Sequence, residues 1–308
     1  MLLRIYRSTE LRITDVILDD RAQQFIDEIN NVTIRIIAND LDVGDLARVH
    51  VGSHHELECY YLIDQFKTWR LIPAIETTGK IQMEIDSWLL EKYILGKIPP
   101  TLRFYTWSNP TISLGYHQRN YPEHWQNLIW QDRSIDLVKR PTGGRGVLHQ
   151  GDLTYALIGS GFVGKRAEIY QQICQFIIDG WRSLGIDLGY GTAGRAYIHN
   201  PNCFGTATSA DLICEDGYKL IGSAQLIKDG VILQHGSMRL NPDLELFQQV
   251  FGNNITIPPQ SISQLASPKI IDALINSAQK HFNVNFDIQP LSNCEWLEIL
   301  EASTKRSI

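Results

Sequence analysis

Cys203 and Lys219 are the residues best suited to covalent chemistry. Cys203 lies in a Pro201-Asn202-Cys203-Phe204 loop, and Lys219 follows sixteen residues later, with Leu220 and Ile221 after it. A lysine amid apolar strand residues is partly desolvated. If it faces the cysteine, its ammonium stabilises the thiolate and lowers the thiol pKa. A plainer reading stays open: a free cysteine often serves as a small buried hydrophobe, and a strand lysine often faces solvent. A second candidate is the run Arg140-Pro141-Thr142-Gly143-Gly144-Arg145-Gly146-Val147-Leu148-His149. Its three glycines let the backbone approach a ligand closely with N–H groups turned inward. Arg140 and Arg145 add positive charge, and His149 adds a titratable donor. Such a loop suits a carbonyl, carboxylate or phosphate; the alternative is a tight turn with solvated arginines.

Other motifs fall short. Gly159 to Arg166 reads GxxxxGK followed by arginine. A P-loop needs a hydroxyl after the lysine to reach Mg²⁺, so a strand-to-helix turn is expected instead. The GxSxG elbow and the GxGxxG fingerprint are missing. His50, His54 and His55 cluster near the start, but no carboxylate or cysteine completes metal-ligand spacing there, and no metal site is expected. Five scattered cysteines (59, 174, 203, 214, 294) form no CxxC pair. That usage fits a reduced, cytoplasmic protein better than a disulfide scaffold.

Elements that would position the candidates can be read from periodicity. A helix is expected over Ile81–Leu95. TLRFYTW reads as a strand ended by Asn109-Pro110, and TISLGY as another. Two strand-like runs flank the glycine-rich loop. KRAEIYQQICQFIIDGWRSLG is the clearest helix: Ile169, Ile173, Phe176, Ile177 and Leu184 share a face, and Gly185 supplies the stop. Asp216-Gly217 and Asp229-Gly230 each sit between apolar runs and predict type I′ hairpins. Ser267-Pro268 reads as N-cap and N1 of a helix whose inner side carries Ile270, Ile271, Leu274, Ile275, Ala278 and Phe282. Helices mixed with antiparallel hairpins predict an α+β fold.

Composition bounds the rest. The 308 residues suffice for one large domain or two smaller ones. The 44% hydrophobic and 20% charged content is globular. No apolar run is long enough for a membrane span, and the N-terminus carries no signal-peptide core, so a soluble, non-secreted protein is expected. Residues 1–66 hold six basic and twelve acidic side chains, whereas the remainder is balanced at 22 of each. No basic surface argues for nucleic acid. The acidic stretch reads as a separate region, with a helical DDRAQQFIDEI and a strand-like NVTIRIIAN.

KRPTGGRGVLH, GDLTYAL, PNCF, YKLIGSAQ and VILQHGS, in that order, resemble the lipoyl-protein ligase and octanoyltransferase family of the biotin/lipoyl ligase superfamily. The resemblance runs from about Trp69 towards the C-terminus. It implies a mixed, largely antiparallel sheet flanked by helices: an extension at 1–67, a catalytic domain at 68–254, and a helical segment at 255–308 completing or appended to it. The cysteine in the Pro-x-Cys-Phe loop, followed by Lys-x-x-Gly-Ser-Ala-Gln, is similar to LipM-type octanoyltransferases. By that resemblance Cys203 would accept the acyl group and Lys219 would lower its pKa. Arg140, Gly143, Gly144, Arg145 and His149 would line the acyl pocket, and Gly222, Ser223 and Ala224 its opposing wall. The implied donor is octanoyl-acyl-carrier-protein, and the acceptor an apo lipoyl domain: the glycine-cleavage H protein or an oxoacid dehydrogenase acyltransferase subunit. No metal or other cofactor is implied. The alternatives are an ATP- and Mg²⁺-dependent lipoate ligase, or a non-catalytic acyl-binding module. The turn before Lys219 is one residue longer than the resemblance leads one to expect, which would displace the lysine slightly.

Overall fold

The structure, a computed structural model, describes residues 68–191, 211–252 and 256–305, together with the backbone of four strands before them. Two compact units divide the chain, Met1–Lys67 and Thr68–Ile308. In the first, β1 (Leu3–Arg7) pairs antiparallel with β4 (Glu58–Leu62), and β2 (Thr33–Ile36) with β3 (Val49–Gly52). The strand read in NVTIRIIAN is β2, and His50 lies in β3. His54, His55 and the expected DDRAQQFIDEI helix lie outside the described residues, as do Cys203 and its loop.

The second unit runs β5 (Thr68–Thr77), α1 (Gly79–Ile94), β6 (Thr101–Trp107), β7 (Thr111–Leu114), β8 (Ile129–Trp130), β9 (Arg133–Ser134), β10 (Asp136–Lys139), β11 (Val147–His149) and β12 (Asp152–Gly159). It continues with α2 (Arg166–Ser183), β13 (Leu188–Tyr190), β14 (Asp211–Cys214), β15 (Lys219–Lys228), β16 (Val231–Arg239), α3 (Leu244–Phe251), α4 (Gln260–Ser263), α5 (Ser267–Phe282), β17 (Asn285–Ile288) and α6 (Asn293–Lys305). Eight strands form one sheet in the order β13-β14-β15-β16-β12-β6-β5-β17, antiparallel except where β5 pairs with β6 and β17. A second sheet, β10-β7-β11, stands apart from it. This is the expected α+β architecture. Residues 285–288 extend the large sheet, so the C-terminal segment supplies a strand as well as helices.

Strand alternation sends β-sheet neighbours to two faces. On one face, Ala156, Ile158 and Leu233 pack with Ile85, Trp88 and Leu89 of α1. On the other, Tyr155 meets Phe176 of α2 edge-on at 5.9 Å, and Phe176 meets Phe282 of α5 at 5.5 Å. Ile169, Ile173, Phe176 and Ile177 are buried as their spacing predicts, each worth about 2 kcal/mol; Leu184 is only half-buried. Gly185, at φ +82°, ends this helix. Gly180 is where α5 comes closest: an added Cβ would lie 2.8 Å from Leu274.

Three local expectations shift. The run after the glycine loop splits into β11 and β12, which join different sheets, because Gly151 turns the chain at φ +67°. Only Asp229-Gly230 has two positive φ values, 51° and 75°, as type I′ requires. At Asp216-Gly217 the loop spans three residues instead. Gly217 N donates to Cys214 O and Cys214 N to Tyr218 O, with Gly217 at φ +84°. Finally, Ala266 caps α5, placing Ser267 and Pro268 one position further in. Ile270, Leu274, Ala278 and Phe282 form its buried stripe, whereas Ile271 and Ile275 are half-buried.

Candidate active site

The glycine-rich loop is built around Arg140. Its Nη1 donates to Ser113 O at 2.8 Å, and its Nη2 to Gly143 O and Arg145 O, both at 2.8 Å. One planar cation thus closes the loop against β7. Gly144 has φ +103°, and a Cβ there would lie 2.6 Å from Arg140 Nη2. A side chain at Gly115 would meet Gly144 O at 1.9 Å. Both glycines are therefore demanded by close approach.

Beside this loop opens a cavity between the two sheets and α1. It holds about 440 Å³ of empty space, its open mouth included. Met83, Trp107 and Val147 supply apolar wall, Arg140, Gly144 and His149 come from the loop side, and Gly222, Ser223 and Ala224 from β15. Six of the residues named by resemblance thus meet at one cavity; Gly143 and Arg145 stand outside its lining. Ser223 lines it through its backbone, since its Oγ lies on the α2 face and accepts from Tyr155 OH at 3.0 Å. Gly236 permits that contact, because a Cβ there would lie 2.3 Å from Ser223 Oγ.

Lys219 is buried at 3% exposure, and its Nζ lies 2.9 Å from Asp211 Oδ1, itself 4% exposed. The expected desolvation of the lysine is present, compensated by a carboxylate on the neighbouring strand. A Cβ added to Gly222 would lie 3.8 Å from Lys219 Nζ, so the ion pair flanks the cavity wall. A β-bulge interrupts the pairing of β14 with β15 beside Lys219. Ile213 pairs with Lys219 and Leu212 with Ile221, leaving Leu220 over.

Two histidine–carboxylate pairs complete the site. His149 Nδ1 lies 2.8 Å from Asp152 Oδ2, and its Nε2 2.9 Å from Ser113 Oγ. Trp107 stacks on the ring at 3.8 Å. Burial pushes the His149 pKa below its ordinary value, and the charge of Arg140 adds to that, outweighing Asp152. His235 Nδ1 lies 2.7 Å from Asp86 Oδ2, and its Nε2 2.6 Å from Thr142 Oγ1, inside the glycine loop. Asp86 also accepts from Arg103 Nε at 2.8 Å and Tyr105 OH at 3.0 Å. Burial alone would raise the Asp86 pKa, but Arg103 and His235 together hold it below the usual carboxylate range. Burial, with the Asp86 charge adding to it, pushes Tyr105 well above its usual value.

Sequence reading missed Ser113, Asp152, Asp86, His235 and Asp211. The His149-x-x-Asp152 spacing was a usable signal, as was Asp211 lying across one hairpin from Lys219. Asp86 and His235, 149 residues apart, left none. Among the described residues no group of three or more His, Cys, Asp or Glu could hold a metal ion. No helix among them is long and apolar enough to cross a membrane.

Residues 79–290 match the family model of the lipoyl protein ligase A/B catalytic domain. An octanoyltransferase LipM from Anoxybacillus flavithermus is 38% identical over 196 residues, covering 60% of this chain and 70% of the relative. One from Halalkalibacterium halodurans is 30% identical over 267 residues, covering 78% and 96%. Protein Ta0514 of T. acidophilum, solved with lipoic acid bound, shares the fold at a TM-score of 0.65 and 21% identity, covering 77% of this chain and 95% of that one. The chain belongs to the lipoyl protein ligase A/B catalytic domain family.

Proposed function

We propose that the protein transfers an octanoyl group from octanoyl-acyl-carrier-protein to a lysine of an apo lipoyl domain, through a thioester on Cys203. The observation that carries this reading is the buried Lys219–Asp211 pair beside the Gly222 wall of the cavity. A fixed cation there stabilises negative charge that develops at an acyl carbonyl or a thiolate. Relatives 30% to 38% identical that bear the name octanoyltransferase LipM support the octanoyl-transfer reading.

The reaction is a double displacement. The Cys203 thiolate attacks the thioester carbon of the carrier-bound chain, and the carrier's thiol leaves as thiolate. Lys219 and backbone N–H groups of the glycine loop hold the tetrahedral oxyanion; one such donor is worth about 3 kcal/mol. The neutral amine of the acceptor lysine then attacks the acyl-enzyme, forming the amide and returning Cys203. Each methylene buried against Met83, Trp107 and Val147 favours binding by about 0.8 kcal/mol, which selects a medium chain over acetate. The scheme consumes no nucleotide and uses no metal. Its acceptors are the glycine-cleavage H protein or an oxoacid dehydrogenase acyltransferase subunit, in the cytoplasm. The unit from Thr68 onward carries the chemistry.

The test is intact-mass measurement after incubation with octanoyl-acyl-carrier-protein without ATP. A hydroxylamine-labile adduct that vanishes in Cys203→Ala is expected. Pyrophosphate exchange driven by ATP and free octanoate, unaffected by Cys203→Ala, would establish a ligase instead. Saturable acyl binding with neither signal would leave a binding module.

A further inference from the structure

The acceptor lysine must lose a proton as the amide forms, and neither Cys203 nor Lys219 has been given that task. We infer that Ser113, His149 and Asp152 form a proton relay that serves the second half-reaction, with the Ser113 hydroxyl as its cavity-facing end. This rests on the transfer reading above.

The geometry fixes the direction of the chain. Asp152 Oδ2 accepts from Ser237 Oγ at 2.6 Å and from Thr154 Oγ1 at 3.1 Å. With two hydroxyl protons already aimed at it, this oxygen acts as acceptor towards the ring as well. His149 Nδ1, 2.8 Å away, therefore carries the proton of the neutral ring, which leaves a lone pair on Nε2. Nε2 faces Ser113 Oγ at 2.9 Å. Arg140 Nη1 also donates to that hydroxyl, at 3.3 Å, so the serine's own proton is directed to the histidine. Serine, histidine and carboxylate in this order constitute a base whose orientation is set by its last member. Ser113 and His149 both line the cavity that Gly222 borders. The relay and the Lys219 pair thus serve one chamber.

The step balances. The amine nitrogen forms its bond to the thioester carbon and gives one N–H proton to Ser113 Oγ. Ser113 passes its own proton to His149 Nε2, and the resulting imidazolium is stabilised by Asp152. The carbon–sulfur bond breaks, its electron pair leaves with the Cys203 sulfur, and His149 returns its proton to solvent. Burial keeps the imidazole unprotonated near neutral pH, so its Nε2 lone pair is available to the serine. The charged or titratable groups facing it are Asp152, Arg140 and His235. Ser113, Thr154, Ser237 and the Trp107 ring complete its surroundings.

Octanoyl-enzyme is prepared from octanoyl-acyl-carrier-protein and mixed with apo lipoyl domain between about pH 4.5 and 8, a window that reaches below the ordinary histidine value. Thioester loss and its formation are timed separately by quenched mass spectrometry. His149→Gln keeps a donor for Asp152 and an acceptor for Ser113 but cannot take the proton. In this variant the ratio of deacylation to acylation rates should fall by about 100-fold, and the inflection belonging to His149 should leave the deacylation pH profile. Ser113→Ala should lower the same ratio, and it tests the relay even if His149→Gln does not fold. Deacylation within threefold of the unmutated rate in both variants, or equal losses in both half-reactions, would overturn the relay alone. Failure of the unmutated protein to form any acyl-enzyme would overturn the transfer reading, and the relay with it.

Discussion

Removing the Asp211 carboxylate is the sharpest probe of the ion pair. Asp211 and Lys219 are 4% and 3% exposed with 2.9 Å between charged atoms, so water screens the pair little. Deleting one member of a buried pair costs about 3–5 kcal/mol, because the other charge stays desolvated. Asp211→Asn preserves size while removing charge, and about 3 kcal/mol is expected. Lys219→Met removes the cation, and the double variant removes both charges. The double variant should then lose at least 1 kcal/mol less than the two single losses summed. Urea unfolding of the four proteins, followed by circular dichroism, measures each term. The same proteins report chemistry through the rate at which iodoacetamide modifies Cys203 near neutral pH, read on its tryptic peptide. Lys219→Met should slow that reaction. Additive stability losses within 0.5 kcal/mol would refute the coupling. An unchanged alkylation rate in Lys219→Met would refute the proposed stabilisation of the Cys203 thiolate.

Further outcomes follow from named contacts. Gly144→Ala, forced to φ +103° against Arg140, should cost about 2 kcal/mol in urea unfolding and impair transfer measured by gel shift of the lipoyl domain. Because the folded His149 pKa lies below the unfolded value, the unfolded chain binds the proton more readily. Stability should therefore fall as pH drops below about 6.5, down to the folded pKa; His149→Gln should flatten the urea midpoint across that window. Asp86 behaves by the same rule at lower pH: stability present above its ordinary value of 3.8 is lost as pH falls towards its depressed folded value. A shallower acid-unfolding curve is expected in Asp86→Asn.

Much of the fold was legible because its elements advertise themselves locally. The stripe through Ile169, Ile173, Phe176 and Ile177, the stop at Gly185 and the Asp229-Gly230 turn all rest on backbone rules spanning a few residues. The Asp216-Gly217 loop misled because Asp-Gly serves two hairpin geometries, and only the flanking register distinguishes them. The site was less legible. Glycine spacing exposed the loop, and the resemblance supplied Cys203 and Lys219. Yet Asp211, Asp86 and His235 act through pairings that only the assembled sheet creates. Arg140 does more than the sequence suggested: it lines the cavity, and its guanidinium also binds carbonyls of the loop and of Ser113.

Helix α1 contributes to the chamber in two ways. Gln82 and Asp86 grip Arg103, and Asp86 also holds His235, which in turn meets Thr142, while Met83, next to Gln82, forms part of the cavity wall. Thioethers are pliable and tolerate trimming. Shortening that single side chain would enlarge the chamber while leaving the anchoring carboxylate and amide intact.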